Sequence, residues 1–162
     1  MRKVIFSAVL AAVIFVITMF IRIPIPRTGG YLNLGDVLVL FGGLYLGPRW
    51  GALAGGVGSA IADLVGFPVF APYTLIVKAI EGLLAGALRK KMPWLGCLLG
   101  ALAMVAGYFI VETVILSGTI GFSAAVVELP FNLFQGAVGI LGALAVWKAT
   151  KDNLPKLDEQ DG

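Results

Sequence analysis

The chain has 162 residues, of which 59% are hydrophobic and 13% charged, and its formal net charge is +3. Its mean hydropathy of +0.98 is far from that of soluble domains, which are about half apolar and a quarter charged. A soluble domain of this length would leave much of that apolar surface in water, so the composition excludes one and predicts an integral membrane protein.

The residue types that the chain lacks limit its chemistry further. It contains no histidine, and its single cysteine, Cys97, stands in an apolar stretch. The commonest general base and metal ligand is therefore missing, and one cysteine forms neither a disulfide nor a CxxC metal site. With no recognisable nucleophile–base pair either, we expect no enzyme, no metal and no cofactor. The basic residues form short clusters at segment ends, which gives no reason to expect a nucleic-acid partner.

Six apolar segments follow one another along the chain, at residues 4–21, 34–46, 50–65, 73–88, 94–116 and 122–147. A helix needs about 20 residues to span the hydrocarbon core, so the second segment is short and the next two are marginal. Short helices are tolerated inside a bundle where neighbouring loops fill the gap. The pattern predicts an all-α integral membrane protein, a bundle of six transmembrane helices formed by residues 1–150. Residues 151–162 are expected to be a polar, frayed cytoplasmic tail.

The basic residues predict how the bundle is oriented in the membrane. If the N-terminus lies inside, the outer connections hold only Arg22 and Arg27. The inner side then holds Arg2, Lys3, Arg49, Arg89, Lys90, Lys91, Lys148, Lys151 and Lys156. Because positively charged loops stay in the cytoplasm, both termini are predicted to be cytoplasmic.

The polar side chains of the predicted helices concentrate in the outer half of the membrane or near its centre. Glu128, Asn132 and Gln135 follow each other at i, i+4 and i+7, so they share one helix face. Ionisable groups in hydrocarbon are costly and usually face a cavity or a partner. The pattern therefore predicts a polar, outward-opening cavity. The predicted substrate-binding residues are Asn33, Asp36, Asp63, Lys78, Glu81, Tyr108, Glu112, Glu128, Asn132 and Gln135.

Some of these groups also allow a purely structural interpretation. Lys78 and Glu81, at i and i+3, can form an internal ion pair that only joins helices. Asp36 can cap the start of its helix, where a carboxylate suits the positive end of the dipole. For Asp63, the sequence does not decide between a structural role and substrate binding.

Two further stretches suggest a docking face and a lid. Ala8 and Ala12 are four residues apart on the first segment, and small residues at this spacing let helices approach closely. The residues alone do not decide whether this face packs inside the bundle or docks another membrane protein. The connection formed by residues 23–33 combines prolines and glycines, which suits a lid over the cavity mouth.

Three stretches together resemble the substrate-binding S components of energy-coupling factor (ECF) vitamin importers. They are YLNLGDVLVLFGGLYLGPRWGALAGGVGSAIADL, APYTLIVKAIEGLLAG and VELPFNLFQG, and the resemblance extends from Ala8 to Gly136. It implies a multi-pass protein of the prokaryotic plasma membrane that captures a vitamin or precursor from outside with high affinity. It further implies association with a transmembrane coupling subunit, through Ala8 and Ala12, and with two cytoplasmic ATPase subunits. The connection at 23–33 would gate the pocket.

The motifs are most similar to members assigned to hydroxymethylpyrimidine, pyridoxine-type or pantothenate uptake, and they differ in detail from the riboflavin and folate branches. The membrane region also holds five acids and one lysine, which favours an aminopyrimidine or a pyridine alcohol over the anion pantothenate. The alternative from another class is a stand-alone proton-coupled permease whose buried carboxyl groups relay protons.

Overall fold

The computed structural model describes residues 1–25, 28, 30–155 and 157. This part of the chain forms six α-helices: α1 (Arg2–Phe20), α2 (Gly35–Leu46), α3 (Pro48–Gly66), α4 (Ala71–Ala87), α5 (Pro93–Ile110) and α6 (Gly121–Thr150). Two short antiparallel strands, β1 (Arg22–Pro24) and β2 (Tyr31–Asn33), form a hairpin between α1 and α2. A π-helical turn, Val111–Ile115, extends α5. An all-helical bundle is confirmed, whereas the hairpin and the π-helical turn were not predicted.

Some predicted features fall partly outside the described residues. These are Pro26, Arg27 and Gly29 of the expected lid, and Lys156 and residues 158–162 of the expected tail. Leu157 is only 7% exposed and packs in a cluster with Ile14 and Leu46. The expectation of a frayed tail is therefore wrong for this residue.

Three helical segments are long and apolar enough to cross a membrane: α1, α5 together with its π-helical turn, and α6. The apolar helix α2 has 12 residues, a length of about 18 Å at 1.5 Å per residue. The 19 residues of α3 and the 17 of α4 carry Asp63, Lys78 and Glu81. Six membrane spans with both termini in the cytoplasm stay a prediction.

A tight turn reverses the chain between α2 and α3. Gly47 has a φ of 89°, a left-handed conformation that glycine adopts without steric cost. Pro48 then occupies the first turn of α3, where its missing N–H costs no hydrogen bond. Because the two helices run in opposite directions from this turn, Asp36 and Asp63 lie at the same end of the bundle, beside the hairpin. Both are buried.

Glycines bring the helices into backbone contact at the centre of the bundle. A Cβ atom on Gly58 of α3 would lie 2.5 Å from the carbonyl oxygen of Ala11 in α1. A Cβ atom on Gly82 of α4 would lie 2.6 Å from the carbonyl oxygen of Gly51 in α3. Such close approach is typical of small residues at helix interfaces in membranes, and it makes α3 the element around which its neighbours pack.

We expect Gly82→Ala to destabilise the protein although alanine is the better helix former. The new methyl group meets backbone atoms, which can only yield if α3 and α4 separate, and overpacking typically costs about 1–3 kcal/mol. Thermal unfolding of the detergent-solubilised protein measures this loss. Gly118→Ala is the control, because a Cβ atom there meets no atom within 4 Å. Equal unfolding temperatures for the two variants would contradict the contact.

Candidate functional site

A cavity of about 410 Å³, including its open mouth, lies beneath the hairpin. The cavity is lined by residues from the hairpin region, α3, the start of α4, the end of α5 and α6: Gly30, Tyr31, Asn33, Asp63, Phe70, Tyr108, Glu112, Glu128, Asn132 and Gln135. The structure thus brings together most of the side chains that hydropathy and spacing selected.

One wall of the cavity is a polar stripe on α6. Glu128, Asn132 and Gln135 are all buried and all line the cavity, as their helical spacing predicts. Membrane-embedded polar groups need hydrogen-bond partners. This face therefore presents the carboxyl group of Glu128 and the carboxamide of Asn132 to the cavity, while the carboxamide of Gln135 bonds within the protein.

Glu112 faces this stripe from the π-helical turn, a kind of distortion that is frequent at functional sites. The side chains of Glu112 and Glu128 are neighbours that interact directly, although they are only 2% and 4% exposed. Oε2 of Glu112 and Oε1 of Glu128 have no hydrogen-bond partner in the described part of the chain. Buried polar atoms without a partner are rare and costly, so the pair is a candidate position for contact with a ligand.

The hairpin is fastened over the cavity by a network of hydroxyl groups. Tyr31 of β2 donates a hydrogen bond to Oδ1 of Asp63, and Thr74 donates one of 2.5 Å to Oδ2. The hydroxyl oxygens of Thr74 and Tyr108 are 3.1 Å apart. Burial and the nearby Asp63 raise the pKa of the Tyr31 phenol above its ordinary value of 10. Tyr31 therefore stays a donor at physiological pH.

Arg22 of β1 fixes the other strand of the hairpin. Its guanidinium group donates hydrogen bonds of 2.9 Å to the carbonyl oxygens of Thr18 and Ala62. It also lies 4.5 Å from the ring centre of Tyr31, a cation–π arrangement. The ring of Tyr31 stacks on Phe67 with centres 5.0 Å apart, so the hairpin is held to both α1 and α3.

Gln135 connects the end of the hairpin to the core. The backbone N–H of Asn33 donates a hydrogen bond of 2.8 Å to Oε1 of Gln135. Nε2 of Gln135 in turn donates a hydrogen bond of 2.9 Å to Oδ2 of Asp36. A side chain predicted only to bind substrate thus also joins α6, α2 and β2.

Below the cavity lies a buried ionic cluster. Lys78 donates hydrogen bonds to Asp36 and, at 2.9 Å, to Oε2 of Glu81. Lys78 is 2% exposed and Glu81 is fully buried. These three side chains are not among the cavity-lining residues, and their mutual contacts favour the structural interpretation that the sequence left open. Their substrate-binding role stays a prediction. Asp36 makes no capping hydrogen bond at the start of α2, because its carboxylate is engaged by Lys78 and Gln135.

Comparison with known proteins identifies the family to which this chain belongs. A family model described as the S component of the ECF-type riboflavin transporter matches residues 1–152 of this chain. The chain belongs to this family of S components. The S component is 40% identical over 131 residues to a protein of Pyrococcus woesei described as an uncharacterized protein in gap 3'region, with 78% of this chain and 86% of that protein covered.

The fold agrees with this assignment. A solved structure described as the S component of a bacterial ECF transporter matches with a TM-score of 0.77 at 22% identity, over 96% of this chain and 98% of that chain. The protein is thus a membrane-embedded substrate-capture subunit of an ECF transporter, which binds a small molecule and associates with the subunits of an ECF module. Membership in a transporter family favours this function over an enzyme and over the alternative of a stand-alone permease.

Sequence reasoning missed several residues of the site. Tyr31 lies inside the predicted lid, and an aromatic ring directly after two glycines was an available signal. Phe70 lies in the connection between α3 and α4, where Phe67 and Phe70 were an available aromatic signal. Gly30 and Thr74 gave no signal, because a glycine that touches the cavity and a buried threonine that bonds Asp63 are recognisable only from contacts between elements.

We expect Tyr31→Phe to loosen the hairpin of this S component. The variant leaves Oδ1 of Asp63 buried without its donor, which costs about 1–3 kcal/mol, and this corresponds to roughly ten- to hundredfold faster opening. Hydrogen–deuterium exchange of a peptide covering residues 22–33 measures the opening. Tyr45→Phe is the control, since its hydroxyl makes only an exposed contact of 3.4 Å with the Pro155 carbonyl oxygen. Unchanged exchange in Tyr31→Phe would show that this hydrogen bond does not fasten the hairpin.

Proposed function

We propose that this S component captures a small heteroaromatic vitamin or vitamin precursor from outside the prokaryotic plasma membrane. It then passes the ligand to an ECF module of one transmembrane coupling subunit and two cytoplasmic ATPase subunits. The observation that carries the proposal is the cavity beneath the hairpin, whose buried wall presents Glu112, Glu128 and Asn132. Carboxyl and carboxamide groups in a membrane interior need partners, and a ligand with several hydrogen-bond donors supplies them.

The chemistry of the lining residues favours a particular ligand class. The rings of Tyr31, Phe70 and Tyr108 offer surfaces to a flat ligand, while no lysine or arginine is among the described lining residues. An anion such as pantothenate would meet acidic groups without a basic partner. A ring that carries amino or hydroxyl donors meets acceptors instead, so hydroxymethylpyrimidine and vitamin B6-like compounds are favoured, and pantothenate comes next.

Riboflavin is a further candidate, because the description of the matching family names it. Its three fused rings and polyol chain make it much larger than a single pyrimidine or pyridine ring. Its polyol hydroxyls would find acceptors at Glu112 and Glu128, which line the cavity.

The first test identifies the ligand. Small molecules released from the gently purified, detergent-solubilised protein are analysed by mass spectrometry, and hydroxymethylpyrimidine, pyridoxine, pantothenate and riboflavin are then titrated into the emptied protein. We expect a stoichiometric single-ring heteroaromatic compound. Stoichiometric riboflavin, which its own fluorescence would report, or pantothenate would overturn the ligand class. A protein that binds none of these would count against vitamin capture.

We expect Glu128→Gln and Asn132→Ala to weaken binding of the identified ligand. Hydrogen bonds to charged groups contribute about 1.5–3 kcal/mol, so each variant is expected to lose about ten- to hundredfold in affinity. Isothermal titration calorimetry measures the loss. Asp152→Asn, an exposed carboxyl-to-amide change far along the chain, is the control. If both site variants bind as tightly as the unchanged protein, the assignment of the site is wrong.

The exposed face of α1 supports a docking role for Ala8 and Ala12. The side of α1 that packs into the bundle carries Ser7, Ile14 and Thr18, whereas both alanines are exposed. Packing within the bundle therefore does not explain their spacing. Two small residues on one lipid-facing stripe let a second helix approach closely, and we assign this face to the coupling subunit.

We expect Ala12→Trp to prevent assembly while leaving ligand affinity unchanged. The indole would keep the two helices apart at the proposed contact, on a face that does not line the cavity. Co-purification with a co-expressed coupling subunit measures assembly. Leu141→Trp is the control, because Leu141 is 71% exposed on α6. Assembly that survives Ala12→Trp would place the docking face elsewhere.

A further inference from the structure

The neighbouring carboxyl groups of Glu112 and Glu128 specify the charge of the ligand. We propose that the empty pair shares one proton and that the site selects a flat aromatic cation with two adjacent N–H donors, of the amidinium or aminopyrimidinium type, whose binding displaces this proton. The inference rests on the proposed function, because it names the ligand chemistry of the same site.

The geometry of the pair requires the proton. Glu112 comes from the π-helical turn and Glu128 from α6, and their carboxyl groups interact with each other while almost fully buried. Two adjacent carboxylates away from water cannot both stay ionised without a cation, as in other carboxyl dyads. A proton shared between them relieves the repulsion when the site is empty.

No described cation takes the place of this proton. Lys78, which is buried in the bundle, is engaged by Asp36 and Glu81, and Arg22 is engaged by backbone carbonyl groups. The titratable and polar groups that line the cavity around the pair, from the hairpin, α3, α5 and α6, are neutral or acidic: Tyr31, Asn33, Asp63, Tyr108, Asn132 and Gln135. A positive charge has to come from the ligand.

The two unpartnered oxygens define how that ligand binds. Oε2 of Glu112 and Oε1 of Glu128 are buried acceptors without a partner among the described residues, and a planar cation with two N–H groups carries one donor for each of them. The empty pair with its shared proton has a charge of −1. Two carboxylates with one bound cation have the same charge, so one proton leaves for each cation that enters.

The lid is in direct contact with this pair. A Cβ atom on Gly30 would overlap the carboxyl group of Glu128, so the backbone of the lid rests on that side chain. Gly30 is held in place through its carbonyl oxygen, which accepts a hydrogen bond of 3.0 Å from the N–H of Ile25. A ligand bound to Glu128 is therefore enclosed by the lid, away from water. Because water does not screen charges there, the charge of the ligand determines how strongly it interacts with the two carboxyl groups.

The test compares benzamidinium, which stays positively charged at physiological pH, with its neutral isostere benzamide. Both are titrated calorimetrically into the full-length, detergent-solubilised protein, in two buffers of different ionisation enthalpy. We expect benzamidinium to bind at least tenfold more tightly and to release about one proton per molecule bound. Its affinity should rise with pH, by at most about tenfold per unit while the shared proton titrates, and then level off.

Two variants test whether proton release depends on the acidic groups of the pair while the shape of the side chains is kept. Glu112→Gln and Glu128→Gln keep the shape of the side chain but remove one acid, so proton release should disappear, whereas Asp152→Asn should retain it. If a variant fails to fold, the comparison of the two probes in the unchanged protein still decides. Benzamide binding as tightly as benzamidinium, or benzamidinium binding without proton release, overturns the inference. If a neutral vitamin is nevertheless bound in the ligand panel, the proposed function stands without it.

Discussion

Polar side chains placed among membrane helices have to find their partners within the protein, and the whole hairpin end of this bundle is arranged by that constraint. Beneath the cavity, the ammonium group of Lys78 forms salt bridges with Asp36 and Glu81. Asp36 also accepts a hydrogen bond from Gln135, and Gln135 accepts one from the backbone N–H of Asn33 at the edge of the hairpin. An ionic cluster deep in the bundle thus fixes the floor of the cavity and one end of its lid. Breaking such a buried cluster leaves an uncompensated charge, which is strongly destabilising.

Carboxyl oxygens that lack a hydrogen-bond partner are informative under the same constraint. Asp63 is satisfied by Tyr31 and Thr74, yet Glu112 and Glu128 each keep an acceptor without a partner. Oε1 of Glu81 also lacks a partner, but among the described carboxyl groups only Glu112 and Glu128 combine an unpartnered oxygen with a place in the cavity lining. The π-helical turn contributes to this arrangement, because it carries Glu112 toward α6 at the cost of regular helix hydrogen bonding.

The proposed docking face and the cavity lie on separate surfaces of the described bundle. The exposed alanines of α1 face away from the cavity, whereas the hairpin and α6 enclose it. The connection between the two surfaces runs through α3, which packs on α1 through the backbone at Gly58 and carries Asp63 at its hairpin end. Close backbone packing transmits displacements because it cannot be compressed. A coupling subunit on the proposed face of α1 would therefore contact a helix that packs directly against the element carrying Asp63.

Hydropathy and helical periodicity are local properties, so the sequence by itself determined the membrane class, the six helices and the shared face of Glu128, Asn132 and Gln135. The hairpin and the π-helical turn escaped prediction because short strands and an inserted residue leave no periodic pattern. Only the tertiary structure decided which polar groups line the cavity and which form the ionic cluster below it. Gln135 and its partner Asp36 are 99 positions apart in the chain, and pairing over such a distance depends on how the helices pack, which no local pattern records.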